Sequence, residues 1–69
     1  MVTARDLPTY DLVSIDLSTG LVHVLTRRWH RPQAAAILYD LRLRATEGYL
    51  YHKIKAETYA EGDEWQGER

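Results

Sequence analysis

Ser18-Thr19-Gly20 separates two short runs, Tyr10 to Leu17 and Leu21 to Thr26, that are rich in Val, Ile, Leu and Thr. β-Branched runs joined by a tight polar turn form a hairpin, and that local choice constrains everything downstream. Asp16 is placed to accept hydrogen bonds from the turn amides, and Gly20 supplies the left-handed conformation that closes a four-residue loop, Leu17 to Gly20. Asp16 then falls opposite Leu21, and Val13, Ile15, Val22 and Val24 share one face. This uniformly β-branched face predicts core. The other face carries Leu12, Ser14, Asp16, Leu21, His23 and Leu25, which is more apolar than a solvated sheet face, so a cover over those leucines is expected.

Downstream, Pro32 reads as the first residue of a helix and Gly48 as the left-handed residue just past its end, with good helix formers between. At about 100° per residue, Ala34, Ile37, Leu38, Leu41 and Ala45 make one stripe, expected to lie on the valine face of the hairpin. The same rotation groups Ala36, Tyr39 and Leu43 on the far side. Two opposed apolar stripes predict a helix that is contacted twice.

Tyr49 to Tyr59 carries two periodicities. Leu50, His52, Ile54, Ala56 and Thr58 alternate with Tyr49, Tyr51, Lys53, Lys55, Glu57 and Tyr59, while Tyr49, Lys53, Ala56 and Tyr59 also suit a helix. The aromatics and Gly48 favour a third strand, which gives the helix a sheet wide enough to cover. The expected fold is therefore α+β with the order β-β-α-β, one helix packed on a small three-stranded sheet, and an acidic flexible C-terminal tail. A crossover connection lays the third strand parallel to the second, either beside it or, as favoured here, antiparallel alongside the first.

With 69 residues, one domain accounts for the whole chain, with residues 1–9 and 60–69 read as flexible ends. A chain this short buries only about 60% of its unfolded surface and often needs disulfides, metal or a partner. It has no cysteine, which removes disulfides and thiolate metal sites together. Its 45% hydrophobic and 28% charged content suits a folded soluble protein. No run approaches the ~18 apolar residues of a membrane span, and the first residues lack a signal peptide's pattern, so a cytoplasmic location and no membrane contact are expected. Residues 1–59 hold eight basic and six acidic side chains, a net +2, whereas residues 60–69 hold four acidic side chains against Arg69, a net −3.

Arg27-Arg28-Trp29-His30-Arg31 breaks a local rule by stacking cations before a helix start, where the partial positive charge ordinarily attracts Asp, Ser or Thr. Free amides with Arg and Trp make a candidate site for an anion or a nucleic-acid backbone. The plainer alternatives are solvated arginines or arginines neutralised by the acidic tail. Lys53 and Lys55, alternating with Tyr49 and Tyr51, extend the nucleic-acid candidate set, because a sheet of aromatics and lysines can stack bases and grip phosphates. The weak net charge and the missing aromatic signature of an RNA-recognition motif argue against that use. His23, His30 and His52 are too scattered for a metal site, and no cofactor is expected. There is no cysteine nucleophile, Gly-rich phosphate loop or Gly-x-Ser-x-Gly elbow, so no enzyme is expected and no catalytic residue is assigned. Trp65, in an acidic setting, is an aromatic anchor suited to docking on its own domain.

The short cysteine-free chain with its Asp16, Thr19, Gly20 turn resembles small accessory proteins of phages and mobile elements, which implies an adaptor acting on a host protein. From the residues themselves, the expectation is a non-catalytic protein–protein interaction module, self-associating as a homodimer. Ala36, Tyr39, Leu43, Leu12, Leu21 and Leu25 are the candidate partner-binding surface. A small nucleic-acid-binding domain using Arg27, Arg28, Trp29, Arg31, Lys53 and Lys55 is the alternative.

Overall fold

The computed structural model describes residues 7–67. Its elements are β1 (Thr9–Asp16), β2 (Val22–His30), α1 (Arg31–Leu43) and β3 (Tyr49–Lys55). The strands form one sheet in the order β2-β1-β3, and β1 pairs antiparallel with both neighbours. The fold is thus α+β in the order β-β-α-β, with the third strand beside the first. The parts of the expected flexible ends at residues 1–6 and 68–69 lie outside the described residues.

The hairpin closes as its composition requires. Gly20 donates its amide to the Asp16 carbonyl at 2.7 Å, with φ at 75°, and Asp16 donates to the Leu21 carbonyl at 3.0 Å. The Asp16 Oδ1 accepts from the Ser18 amide at 2.9 Å and from its hydroxyl at 2.6 Å, and Thr19 Oγ1 accepts from the Leu21 amide at 3.2 Å. Ile15 faces Val22 and Val13 faces Val24, the register predicted from the turn.

Further from the turn, the pairing departs from simple alternation. The register shifts between Val13 and Leu12 and again between Leu12 and Tyr10, so that Thr26 faces Leu12 and Trp29 faces Tyr10. Leu25 is the extra residue of the first bulge. Arg27 and Arg28 together stand against Asp11 in the second, where Arg28 has a φ of 64°. The stretch Arg27 to Arg31, which the sequence places between the second strand run and the helix, is instead the end of β2 and the first residue of α1. Bulges let β2 continue past Thr26 because each extra residue increases the twist without ending the ladder.

As the central strand, β1 is buried on both faces from Asp11 to Ile15. Val13, Ile15 and Val22 form the core of one face, with Val24, Ile54, Tyr59 and Trp65 packed against it. No residue of α1 belongs to that cluster. The helix therefore covers the opposite face, where Leu12 is fully buried, Ser14 is 6% exposed, and Arg42 donates to the carbonyl of Tyr51, the cross-strand neighbour of Ser14. This corrects the expectation that α1 lies on the valine face. β2 and β3 run parallel to each other, so β2-α1-β3 is a crossover, and the face it covers is set by its hand rather than by hairpin composition.

The helix also ends earlier than expected, at Leu43, leaving Ala45 outside it. A 13-residue helix spans about 20 Å, close to the length of the seven-residue β3, so a longer helix would overshoot the sheet. Gly48, with a φ of 93°, turns the chain into β3 and accepts a hydrogen bond from the Leu17 amide at 2.9 Å. The Tyr49 to Tyr59 segment is strand only to Lys55, whose carbonyl accepts from the Thr58 amide and hydroxyl and so opens a turn.

Candidate functional site

On α1, Ala34 is buried and Ile37, Leu38 and Leu41 are half-buried, matching the inward stripe predicted for them. Three strands spaced about 4.8 Å apart make a platform hardly wider than the helix itself, so the flanks of the stripe stay open. Ala36, Tyr39 and Leu43 face away from the sheet, Tyr39 being 67% and Leu43 69% exposed. Tyr39 and Leu43 are one helical turn apart and so share a surface.

The helix runs back toward the hairpin turn, so its last residues arrive at the end of the sheet that carries Leu17, Leu21, Tyr49 and Leu50. Each of those four is exposed, and they are held together by the Leu17–Gly48 hydrogen bond and the pairings Asp16–Tyr49 and Ile15–Leu50. One end of the molecule is thus apolar on α1, on β3 and at the turn. Leu17 and Leu50 were not singled out from the sequence, and Tyr49 only as an aromatic alternating with Lys53 and Lys55, because only the topology brings these residues to the same end of the fold as Leu43. Of the sequence-predicted surface leucines, Leu21 and Leu25 are exposed, whereas Leu12 lies under α1 and presents no surface.

The basic candidates are divided. Arg27 Nη1 donates to the Asp11 carboxylate at 2.7 Å, Arg27 Nη2 to the Tyr59 carbonyl at 3.1 Å, and Arg28 Nη2 to Glu57 at 3.0 Å. Trp29 Nε1 donates to Thr26 Oγ1 at 2.8 Å, and Arg31 is exposed in the first turn of α1. Lys53 lies on the helix side of the sheet with its ammonium 5.0 Å from the centre of the Tyr10 ring, and Lys55 is exposed nearby. Arg27 and Arg28 are therefore held from the Asp11 side, and Lys53 from the other. His30 caps α1 with extended backbone and no side-chain bond, and its Nδ1 is buried without a partner among the described residues.

Asp11 is the polar centre that sequence reading missed. Its side chain is fully buried, and its two oxygens accept from Arg27 Nη1, from the Arg28 amide at 3.1 Å and from the Glu57 amide at 2.9 Å. The signal was present: a carboxylate in phase with Val13 and Ile15 sits on the core face, where a charge persists only if it is fully hydrogen-bonded.

The acidic tail does not neutralise the arginines as a group. Gly62 donates to the Val22 carbonyl at 2.8 Å, Val22 to the Asp63 carbonyl at 2.7 Å and Trp65 to the Gly20 carbonyl at 2.8 Å, with Leu21 bridged to Glu64. Residues 60–65 thus line the outer edge of β2. Glu61 accepts from the Val24 amide and meets His23 Nδ1, both at 2.8 Å, and these two contacts hold its carboxyl below the usual glutamate pKa, His23 contributing most. Ser18, through its hydroxyl and its amide, lowers the pKa of Asp16 in the same way. Trp65 stacks on His52 with ring centres 5.2 Å apart and leans on Tyr59 at 5.3 Å. Its place against the valine face agrees with the expected docking of this tryptophan on its own domain.

The described residues form, among others, two concavities. The larger, about 460 Å³, is lined by Arg27, Arg28, Glu57, Tyr59 and Asp63 among others, and its charges are largely taken up in the contacts above. The smaller, about 280 Å³, lies between Leu7, Pro8, Tyr10, His30, Arg31 and Pro32. Among the described residues, no three His, Asp or Glu side chains converge in a way that could hold a metal ion, and no helix is long and apolar enough to cross a membrane. The arrangement defines a small α+β domain with an apolar end and a seated acidic tail. Comparison with family models, curated proteins and solved structures gave no match.

Proposed function

We propose that this chain is a non-catalytic protein–protein interaction module that self-associates through the outer face of α1 and the adjoining end of the sheet. The observation that carries this reading is the exposure of Tyr39 and Leu43 on a helix whose inward stripe is itself only half covered. Among the described residues, the fully buried apolar side chains are Leu12, Val13, Ile15, Val22 and Ala34, a small core for a chain of this length. Burying several hundred Å² of apolar surface across a symmetric pair contributes several kcal/mol gross at about 25 cal/mol per Å², before association entropy is subtracted. A host protein offering a similar apolar groove is the other partner this surface suits. The nucleic-acid reading draws less support, because Arg27 and Arg28 already have carboxylate partners.

Light scattering across a concentration series tests the proposal. The wild-type chain is expected to approach twice the monomer mass as concentration rises, with a melting temperature that rises in parallel, and Leu43→Glu is expected to abolish both trends. A monomer at every concentration, with an unchanging melting temperature, overturns self-association.

A further inference from the structure

We infer that the outer edge of β2 is an acceptor site for an acidic peptide bearing an aromatic residue, bound by backbone pairing, and that residues 61–65 fill it in cis. This site lies on the outer edge of β2 and the valine face, on the side of the sheet opposite α1; it adjoins the apolar end only at Leu21 and does not depend on self-association. Three features of the seated tail define what the site recognises. The first is backbone pairing: Val22 engages the tail through both its amide and its carbonyl, and the Gly20 carbonyl takes the Trp65 amide. An unpaired strand edge presents these groups to any extended chain.

The second is a carboxylate seat made by the Val24 amide and His23 Nδ1, each 2.8 Å from Glu61. The third is an aromatic seat against Val13, Ile15 and Val22, walled by His52 and Tyr59, which holds Trp65. A glutamate four positions before a tryptophan spans both seats, with a turn closed by the Asp63 amide on the Ala60 carbonyl at its start and a single bridge at Glu64 before the tryptophan. The cis ligand is shallowly seated, since every residue from Ala60 to Gly67 except Trp65 is exposed, and Gly62, at a φ of 85°, forms the turn that lays the segment on β2. A tethered ligand acts at an effective concentration in the mM range, so a matching peptide on another protein succeeds only where the cis segment is weakened or outnumbered.

The test uses the full chain carrying Trp65→Ala and a fluorescent synthetic peptide spanning residues 60–67. Saturable binding at least tenfold tighter than to the wild-type chain is expected, and peptides carrying Glu61→Gln or Trp65→Ala are expected to bind more weakly. A folded Trp65→Ala chain that takes up the peptide no better than wild type overturns the inference. Hydrogen exchange on the wild-type chain decides the matter if that variant does not fold. The Val22 and Val24 amides are expected to exchange at least tenfold faster than the slowest amides of β1, because the tail lifts without global unfolding. Equal rates make the tail an inseparable part of the sheet and overturn the assignment.

Discussion

Arg28 and Glu57 stand 29 residues apart in the chain, yet both donate their backbone amides to the Asp11 carboxylate, and their side chains form an ion pair at 3.0 Å. They are also the non-glycine residues, among those described, whose φ is positive, at 64° in each case. One buried carboxylate thus fixes two unfavourable backbone conformations, the bulge near the end of β2 and the turn that leaves β3. The turn at Glu57 leads into Thr58 and Tyr59, and Arg27, held by the same carboxylate, donates to the Tyr59 carbonyl, so the path of the tail depends on Asp11.

Removing that acceptor is expected to be among the most damaging single changes. Asp11→Ala leaves two amides and a half-buried guanidinium without their partner, and should lower unfolding free energy by about 3 kcal/mol. Asp11→Asn, which keeps an acceptor oxygen, should lose less. Urea unfolding followed by circular dichroism measures both. A loss below about 0.5 kcal/mol for the alanine variant contradicts this role.

At position 57 the backbone conformation outweighs the side chain. The Arg28–Glu57 pair is exposed on both sides, so its contribution is small, whereas a left-handed residue with a Cβ costs about 1 kcal/mol or more. Glu57→Gly should therefore be neutral or stabilising by up to about 1 kcal/mol, and Glu57→Val destabilising by about 1 to 2 kcal/mol. Thermal melts of the two variants should move in opposite directions or, at the least, differ by several degrees.

Acid should loosen the tail before it unfolds the sheet. The Glu61 pKa is lowered by the folded contacts, so the unfolded chain binds a proton at higher pH than the folded one. The resulting stabilisation is present above the ordinary glutamate pKa of 4.5 and is lost as pH falls through the lower folded value. Asp16 acts with the same sign in the neighbouring turn. Trp65 fluorescence, recorded in a Trp29→Phe background, should report release below pH 4.5, and Glu61→Gln should show the released signal at neutral pH. A tryptophan signal that is insensitive to both changes would show that Glu61 does not hold the tail.

Leu12 and Leu25 look alike in the hairpin sequence but should behave differently. Leu12→Ala removes a fully buried side chain beneath α1 and should cost about 2 to 5 kcal/mol. Leu25→Ala truncates a half-exposed bulge residue and should stay within about 0.5 kcal/mol of wild type. Similar losses for the two would place α1 on the other face of the sheet.

The separation of these leucines also shows where reading the sequence stopped working. Alternation assigned them to one face correctly as far as Val24, and the inserted residue at Leu25 then broke the count. A bulge leaves little local signature when the extra residue is an ordinary leucine. The Tyr39 and Leu43 stripe was legible because helical rotation is a local rule that nothing in the fold altered. Leu17, Tyr49 and Leu50 were not legible as part of the same apolar end, since the crossover is what brings them and Leu43 to one end of the fold.

Local pattern sufficed for the hairpin and its register near Gly20, for the helix with its two stripes, and for a third strand after Gly48. Each of these rests on turn chemistry or periodicity among residues close in the chain. Which face α1 covers, where β2 bulges, why a carboxylate sits in the core and how the tail reaches the β2 edge emerge only in the folded chain. Those outcomes depend on the hand of a crossover and on contacts such as Asp11 with Glu57, 46 residues apart. No local pattern encodes such a contact until the intervening chain has folded around it.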